Sequence, residues 1–251
     1  MSLISQKLQA VHTSIQAAAR AVSRRPDSVT LLAVSKTFGA DAVAEAVAAG
    51  QRAFGENYLQ EAIDKMGAVK EALAAAPDSA QYADVLLEWH FIGPIQSNKT
   101  KPIAEHFDWV HTVDREKIAQ RLSAQRPAHL PPLNICLQVN ISGEASKSGV
   151  APSAVLETAR TIAGLPHLIL RGLMTIPEPT EDEQKQRAAF RQTRELLQQL
   201  RAELPDQAAQ LDTLSMGMSA DMAAAIAEGA TIVRVGSAIF GHRTKPGSQT
   251  A

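Results

Sequence analysis

One cysteine, Cys136, stands in the 251 residues. A lone thiol excludes an intrachain disulfide and a zinc site built from several cysteines. Excess charge of either sign is also missing: 25 Lys and Arg face 26 Asp and Glu, a net charge of −1. Without a basic field, neither nucleic acid nor an anionic membrane is an expected partner. No apolar run approaches the roughly 18 residues of a membrane span. The first residues also lack the basic segment, apolar core and small-residue exit of a cleavable signal. No G-x-G-x-x-G follows the first strand-like run, and neither G-x-x-x-x-G-K-[ST] nor G-x-S-x-G occurs. These absences remove the signatures of dinucleotide binding, P-loop nucleotide binding and the serine-hydrolase elbow. With 45% apolar and 20% charged residues, the chain can bury a large core, so a cytoplasmic globular protein is expected rather than a disordered one.

What is present is a regular alternation. Leu8, Val11, Ile15 and Val22, with Ala18, form one stripe of an opening amphipathic helix, which Pro26 ends. Eight apolar runs of strand length follow, at 29–35, 52–55, 88–93, 109–113, 133–140, 170–175, 211–215 and 230–235. Helical stretches separate them. Asp41, Asp114 and a Thr180–Glu183 capping box are their expected starts, and Gly50 an expected end. After the capping box, Phe190, Thr193, Leu197, Leu200 and Leu204 share one helix face.

Eight strands alternating with helices over about 250 residues predict an α/β fold, a single (β/α)8 TIM barrel with an additional N-terminal helix. A doubly wound open sheet satisfies the same alternation. Pro77 and Pro131-Pro132 read as turns, so residues 1–241 form one expected domain, with 242–251 a disordered tail.

In a barrel, chemistry sits where strands end and βα loops begin. Lys36 leaves an apolar strand there, the setting a Schiff-base amine needs; a surface lysine is the ordinary alternative. Ser215 to Ser219, before a helix expected from Ala220, and Gly236-Ser237 after the eighth strand could donate to an anion. Loops after strands seven and eight are the usual phosphate site of this barrel. Arg234 lies inside the eighth strand and must find an acceptor, either a core carboxylate or a ligand ring nitrogen. His90 is expected as a hydrogen-bonded core residue, and no spacing suggests a metal. The polar segment from Ser142 to Gly149, with Lys147, reads as a mobile loop.

These segments also resemble a known family. Ala33-Val34-Ser35-Lys36-Thr37, Phe54-Gly55-Glu56-Asn57-Tyr58 and Trp89-His90-Phe91-Ile92-Gly93 are similar to motifs of the pyridoxal phosphate homeostasis proteins. So are Leu214-Ser215-Met216-Gly217-Met218-Ser219 and the run from Val233 to Gly241. Those proteins in turn resemble the barrel domain of alanine racemases. The resemblance implies pyridoxal 5′-phosphate (PLP) as cofactor, held as a Schiff base on Lys36. It implies phosphate contacts from Ser219, Gly236 and Ser237, and Arg234 near the pyridine nitrogen. Asn57, His90 and Met218 are implied as further cofactor contacts. The implied function is buffering or delivery of this vitamin B6 cofactor by a monomer, with apo-enzymes as acceptors and without efficient turnover. Two alternatives are a PLP-dependent amino-acid racemase and a phosphate-sugar enzyme using Lys36 as its amine. Racemases of this type add a C-terminal domain that supplies a tyrosine, whereas ten residues follow Gly241 here and the tyrosines are Tyr58 and Tyr82.

Overall fold

Parallel strands cannot be joined by a tight turn, so each needs a crossover, usually a helix. A computed structural model describes residues 2–144 and 148–241. Lys147 and the expected tail lie outside them. The strands are β1 (Thr30–Val34), β2 (Ala53–Glu56), β3 (Glu88–Phe91), β4 (Trp109–Val113), β5 (Leu133–Val139), β6 (Leu168–Thr175), β7 (Thr213–Ser215) and β8 (Ile232–Val235). The helices are α1 (Leu3–Ala21), α2 (Ala40–Ala48), α3 (Leu59–Ala75), α4 (Thr100–His106), α5 (Glu116–Gln125), α6 (Val155–Ala163), α7 (Glu183–Glu203), α8 (Met222–Ala227) and α9 (Ser237–Phe240). The strands pair in sequence order and β8 pairs back to β1, with Leu32 opposite Arg234 and Ala33 opposite Val235. That last ladder closes the sheet and removes the open doubly wound alternative.

Alternation along the strands sorts side chains between two faces. Leu31, Ala33 and Phe54 pack in the large cluster with helix residues such as Val43 and Val47, between sheet and helices. Leu32, Ala53 and Ile232 form a separate cluster on the other face, in the lumen. The helix α9 has only four residues, too short to cover the β8–β1 seam. Helix α1 takes that place, packing against α2, α8 and α9 and burying Leu8, Val11, Ile15 and Ala19. Val22 caps this helix and is exposed, so the expected stripe ends one turn early. No helix among the described residues is long and apolar enough to cross a membrane.

Several expected helix starts shift. Gly39, not Asp41, caps α2, and Arg115, not Asp114, precedes α5. Gly50 does end α2, at φ +97°, a conformation glycine adopts without strain. The expected Thr180–Glu183 box is replaced by Asp182, whose Oδ1 accepts from the N–H groups of Gln184 and Lys185. The Thr180 hydroxyl accepts from Asp182 N instead. Asp182→Ala is therefore expected to cost about 1 kcal/mol of stability, and Thr180→Ala less, in urea unfolding followed by circular dichroism. Equal losses would return the capping role to Thr180.

Candidate functional site

The strands β1 and β8 are neighbours, so the loops that follow them meet at one sector of the barrel rim. Lys36, Tyr58, Gly236 and Ser237 line one cavity there, of about 260 Å³. Lys36 itself is exposed, so the dry setting expected for its amine is not present at this rim. A Cβ on Gly236 would stand 3.0 Å from the Val34 carbonyl oxygen, tight against the strand that leads to Lys36. Glycine lets these two strand ends approach.

The segment carrying Lys36 is clamped from behind. Period-two alternation turns Ser35 away from the lumen, and its hydroxyl donates to Glu56 Oε1 at 2.6 Å. The Lys65 ammonium, on α3, bonds the Ser35 carbonyl at 2.8 Å, Glu56 Oε1 at 2.7 Å and Glu61 Oε1 at 3.0 Å. Glu61 Oε1 also accepts from Thr37 N at 2.6 Å. Thr37 sits at φ +69°, a left-handed conformation that costs a β-branched residue energy and persists only when its surroundings enforce it. Glu56 is fully buried, and desolvation pushes its carboxyl above the usual range, against the Lys65 and Ser35 hydrogen bonds.

The other expected contacts divide among neighbouring places. Ser219 lines a second cavity of about 260 Å³ beside Val235 and Ala238, where Lys7 of α1 joins it. Among the described residues, the hydroxyls of Ser219 and Ser237 make no hydrogen bond. The helix expected from Ala220 starts later: a turn separates Ser219 from α8, which begins after Asp221. Met218 is 38% exposed, and its N–H donates to Asp221 Oδ1 at 2.6 Å, so the protein itself satisfies that donor. Gly217, at φ +94°, has no room for a side chain, since a Cβ would lie 2.5 Å from Ala225 Cβ. Asn57 lines a third rim cavity with Ile92, Thr112 and Asn140. Its Oδ1 is buried and makes no hydrogen bond among the described residues, which leaves an acceptor ready for a donor. A Cβ on Gly93 would fall 2.2 Å from the Asn57 carbonyl oxygen, so the β2 and β3 ends also meet through a glycine.

Arg234 and His90 lie in the lumen. The Arg234 guanidinium donates to Ser215 Oγ at 2.8 Å and to the Thr175 carbonyl at 3.0 Å. No carboxylate pairs with it among the described residues, which overturns the core ion-pair alternative. Burial lowers its pKa to about 10, so it remains a cation at neutral pH. Ser215 Oγ also meets His111 Nδ1 at 2.7 Å, and His111 Nε2 meets His90 Nδ1 at 2.9 Å. The strands β4 and β7 are not neighbours, so the His111–Ser215 bond must cross the lumen. His90 stacks on Trp109, and desolvation lowers the pKa of both histidines. His90 is thus the hydrogen-bonded core residue expected, and no metal-holding cluster occurs among the described residues.

Reasoning from sequence missed Lys7, His111 and Asp221. Lys7 comes from α1, and no local signal ties that helix to the rim. His111 could have been found by parity: like His90 one strand earlier, it interrupts an apolar strand, where a polar side chain must have a partner. A larger cavity of about 650 Å³, between α3 and residues 79–87, lies outside the barrel and away from all these groups. In sum, the β1–β8 seam holds an amine for a carbonyl and hydroxyls for an anion. The lumen beneath holds a guanidinium that can only donate.

Comparison with known proteins agrees with this chemistry. Residues 7–244 match the family described as alanine racemase, N-terminal domain. The pyridoxal phosphate homeostasis protein of Pseudomonas aeruginosa is 59% identical over 243 residues, covering 97% of each chain. That of Escherichia coli K12 is 51% identical, covering 97% of this chain and 98% of its own. The structure of PipY from Synechococcus elongatus with PLP bound is similar at a TM-score of 0.77 and 36% identity, covering 95% of this chain and 100% of PipY. The D-threo-3-hydroxyaspartate dehydratase of Delftia sp., at 18% identity and a TM-score of 0.59, shares the fold.

Proposed function

Because this chain belongs to the alanine racemase N-terminal domain family, and within it to the pyridoxal phosphate homeostasis proteins, we propose that it binds PLP in the cytoplasm and buffers or delivers it. The observation that carries the reading is the meeting of Lys36, Gly236 and Ser237 around one cavity at the β1–β8 seam. The residues present fit the cofactor: Gly236 leaves a cradle that a Cβ would crowd, and Asn57 Oδ1 is an orphaned buried acceptor. When bound, PLP supplies an aldehyde and an electron-withdrawing ring. Lys36 would provide the amine for that aldehyde. Ser219, Ser237 and the Gly236 backbone hold the phosphate, with the Lys7 ammonium nearby. Arg234 would face the ring nitrogen as a hydrogen-bond donor, since a guanidinium carries no lone pair to accept a proton. Asn57 and Met218 would complete the surroundings of the ring, while His90, buried in the lumen against His111, supports them from below rather than touching it. Addition of PLP to the purified protein should produce a visible absorption band distinct from that of free PLP; an unchanged spectrum would defeat the proposal.

The phosphate assignment has its own test. Each hydroxyl bond to a charged acceptor contributes about 1.5–3 kcal/mol. Ser219 and Ser237 replaced together by alanine should thus weaken PLP binding at least about tenfold, measured by fluorescence or equilibrium dialysis. Unchanged affinity would move the phosphate elsewhere.

We further propose that the loaded protein is a monomeric carrier, with apo-enzymes as acceptors, rather than a racemase. Racemisation needs a proton-active group on each face of the α-carbon. Lys36 and Tyr58 line one cavity but follow the adjacent strands β1 and β2, one sector of the rim. Arg234, as a donor only, would also leave the ring a weaker electron sink than a proton-sharing acid would. Incubation with single enantiomers of alanine or serine should show no inversion by chiral chromatography. Turnover near roughly 1–10³ per second, lost in Lys36→Ala, would make the protein an enzyme.

A further inference from the structure

The lumen contains a line of polar groups that runs the length of the barrel. It begins at Arg234, passes through Ser215, His111 and His90, and ends near Glu88. Glu88 is the first residue of β3, at the end opposite the rim, and its side chain is 57% exposed. The His90 Nε2 is buried without a hydrogen-bond partner among the described residues, and Glu88 Oε2 stands 3.7 Å from it.

Donor and acceptor rules give this line one direction. Arg234 can only donate, so Ser215 Oγ accepts from it. The remaining polar atom that Ser215 Oγ meets is His111 Nδ1, so the hydroxyl proton points there and Nδ1 accepts. A neutral His111 then carries its proton on Nε2 and donates to His90 Nδ1. His90 in turn carries its proton on Nε2, facing the Glu88 carboxylate. The reverse direction fails at both ends. It would leave the Ser215 proton without an acceptor and would aim the His90 lone pair at an anion. Desolvation keeps both imidazoles neutral, with Arg234 adding to the effect at His111 and with Glu88 and Asp108 opposing it at His90. The other charges facing the line are Arg171, beside Glu88, and Asp221, beside Arg234.

We propose that Glu88 is a positioning residue for Arg234, acting through His90, His111 and Ser215. By reinforcing from the far end the direction that Arg234 sets, the carboxylate holds Ser215 Oγ as a full acceptor for one Arg234 N–H, and so steadies how the remaining N–H groups meet a ring nitrogen at the rim. This last step rests on the PLP-binding function proposed above.

Glu88→Gln tests it. The amide keeps the size of the side chain, removes the charge and can either donate or accept, so one of the two constraints on the direction is withdrawn. In the unliganded wild type, ¹⁵N NMR of labelled histidine should show His90 and His111 protonated on Nε2 alone. In Glu88→Gln, a second tautomer should appear at both residues and the Arg234 guanidinium signal should shift. In a Ser215→Ala background, where the line is cut, Glu88→Gln should leave the Arg234 signal unmoved. A wild-type His111 protonated on Nδ1, or unaltered spectra in Glu88→Gln, would overturn the proposal. With PLP added, the visible band of Glu88→Gln should be displaced from that of the wild type. An identical band despite altered tautomers would also overturn it. If PLP yields no band even with the wild type, the binding function fails, while the tautomers and the Arg234 signal still decide whether Glu88 positions Arg234.

Discussion

Lys36→Ala is expected to abolish covalent attachment of PLP completely, with the fold intact. The side chain is exposed at the end of β1, so its removal opens no cavity, and surface changes of this kind rarely move stability by more than about 0.5 kcal/mol. What is lost is the one amine that, among the described residues, lines a cavity with Gly236 and Ser237. Borohydride treatment of the PLP-loaded wild type should place the added mass on the peptide containing Lys36. The same treatment of Lys36→Ala should leave every peptide unmodified, although the phosphate contacts still allow weaker, non-covalent binding. Stoichiometric labelling of Lys7, Lys65 or any other lysine in the wild type, with Lys36 free, would sink the assignment.

Lys65→Met should destabilise the protein by about 3–5 kcal/mol at neutral pH, the usual consequence of leaving a buried charge without its partner. Methionine fills the space of the lysine stem, so the loss is electrostatic rather than a packing defect. Lys65 and Glu56 are 4% and 0% exposed, and Glu56 Oε2 already lacks a hydrogen bond among the described residues. The sign of the pH dependence follows from Glu56. Burial raises its folded-state pKa above the unfolded value, so the folded state binds the extra proton. Its contribution to stability is therefore best below the ordinary carboxylate pKa, about 4.3, and is lost as pH rises through the raised folded value. Removing Lys65 raises that value further. The deficit against wild type should be full at neutral pH and shrink as pH falls toward the carboxylate range. Urea unfolding at several pH values reads this directly. Glu56→Gln added to Lys65→Met should flatten the dependence and recover stability; a deficit independent of pH would show that Glu56 stays neutral throughout. Because Lys65 also holds the Ser35 carbonyl, the variant should load PLP more slowly at Lys36.

Much of this was readable in the chain. Apolar runs and helical periods place all eight strands, because burial against a helix layer imposes period two on one element and 3.6 on the other. The β4 run at 109–113 coincides with its observed bounds, and the stripe of Phe190, Thr193, Leu197 and Leu200 is buried on α7 as expected. Helix starts were less legible. Asp182 outcompetes Thr180 by geometry within three residues, which composition does not encode. The polar residues at strand ends, Lys36, Asn57 and Ser237, and the glycine at 236 stand out because an apolar strand has no structural need for them.

The amino-acid sequence by itself determined the alternation of elements, the eight strands and the candidate groups at their ends, since all of these depend on local chemistry and spacing. Only the tertiary structure decided that the sheet closes, because the β1–β8 pairing joins residues some 200 positions apart and no local pattern distinguishes a closing strand from an edge strand. Closure brings Lys36 to Ser237 and sets α1, with Lys7, beside Ser219. It also decided the partner of Arg234. A guanidinium in a strand needs an acceptor, but whether that acceptor is a carboxylate or the Ser215 hydroxyl depends on which strands face one another across the lumen. The line from Arg234 to Glu88 exists for the same reason: hydrogen bonds reach about 3 Å, and only the curvature of the barrel brings β3, β4, β7 and β8 within that reach.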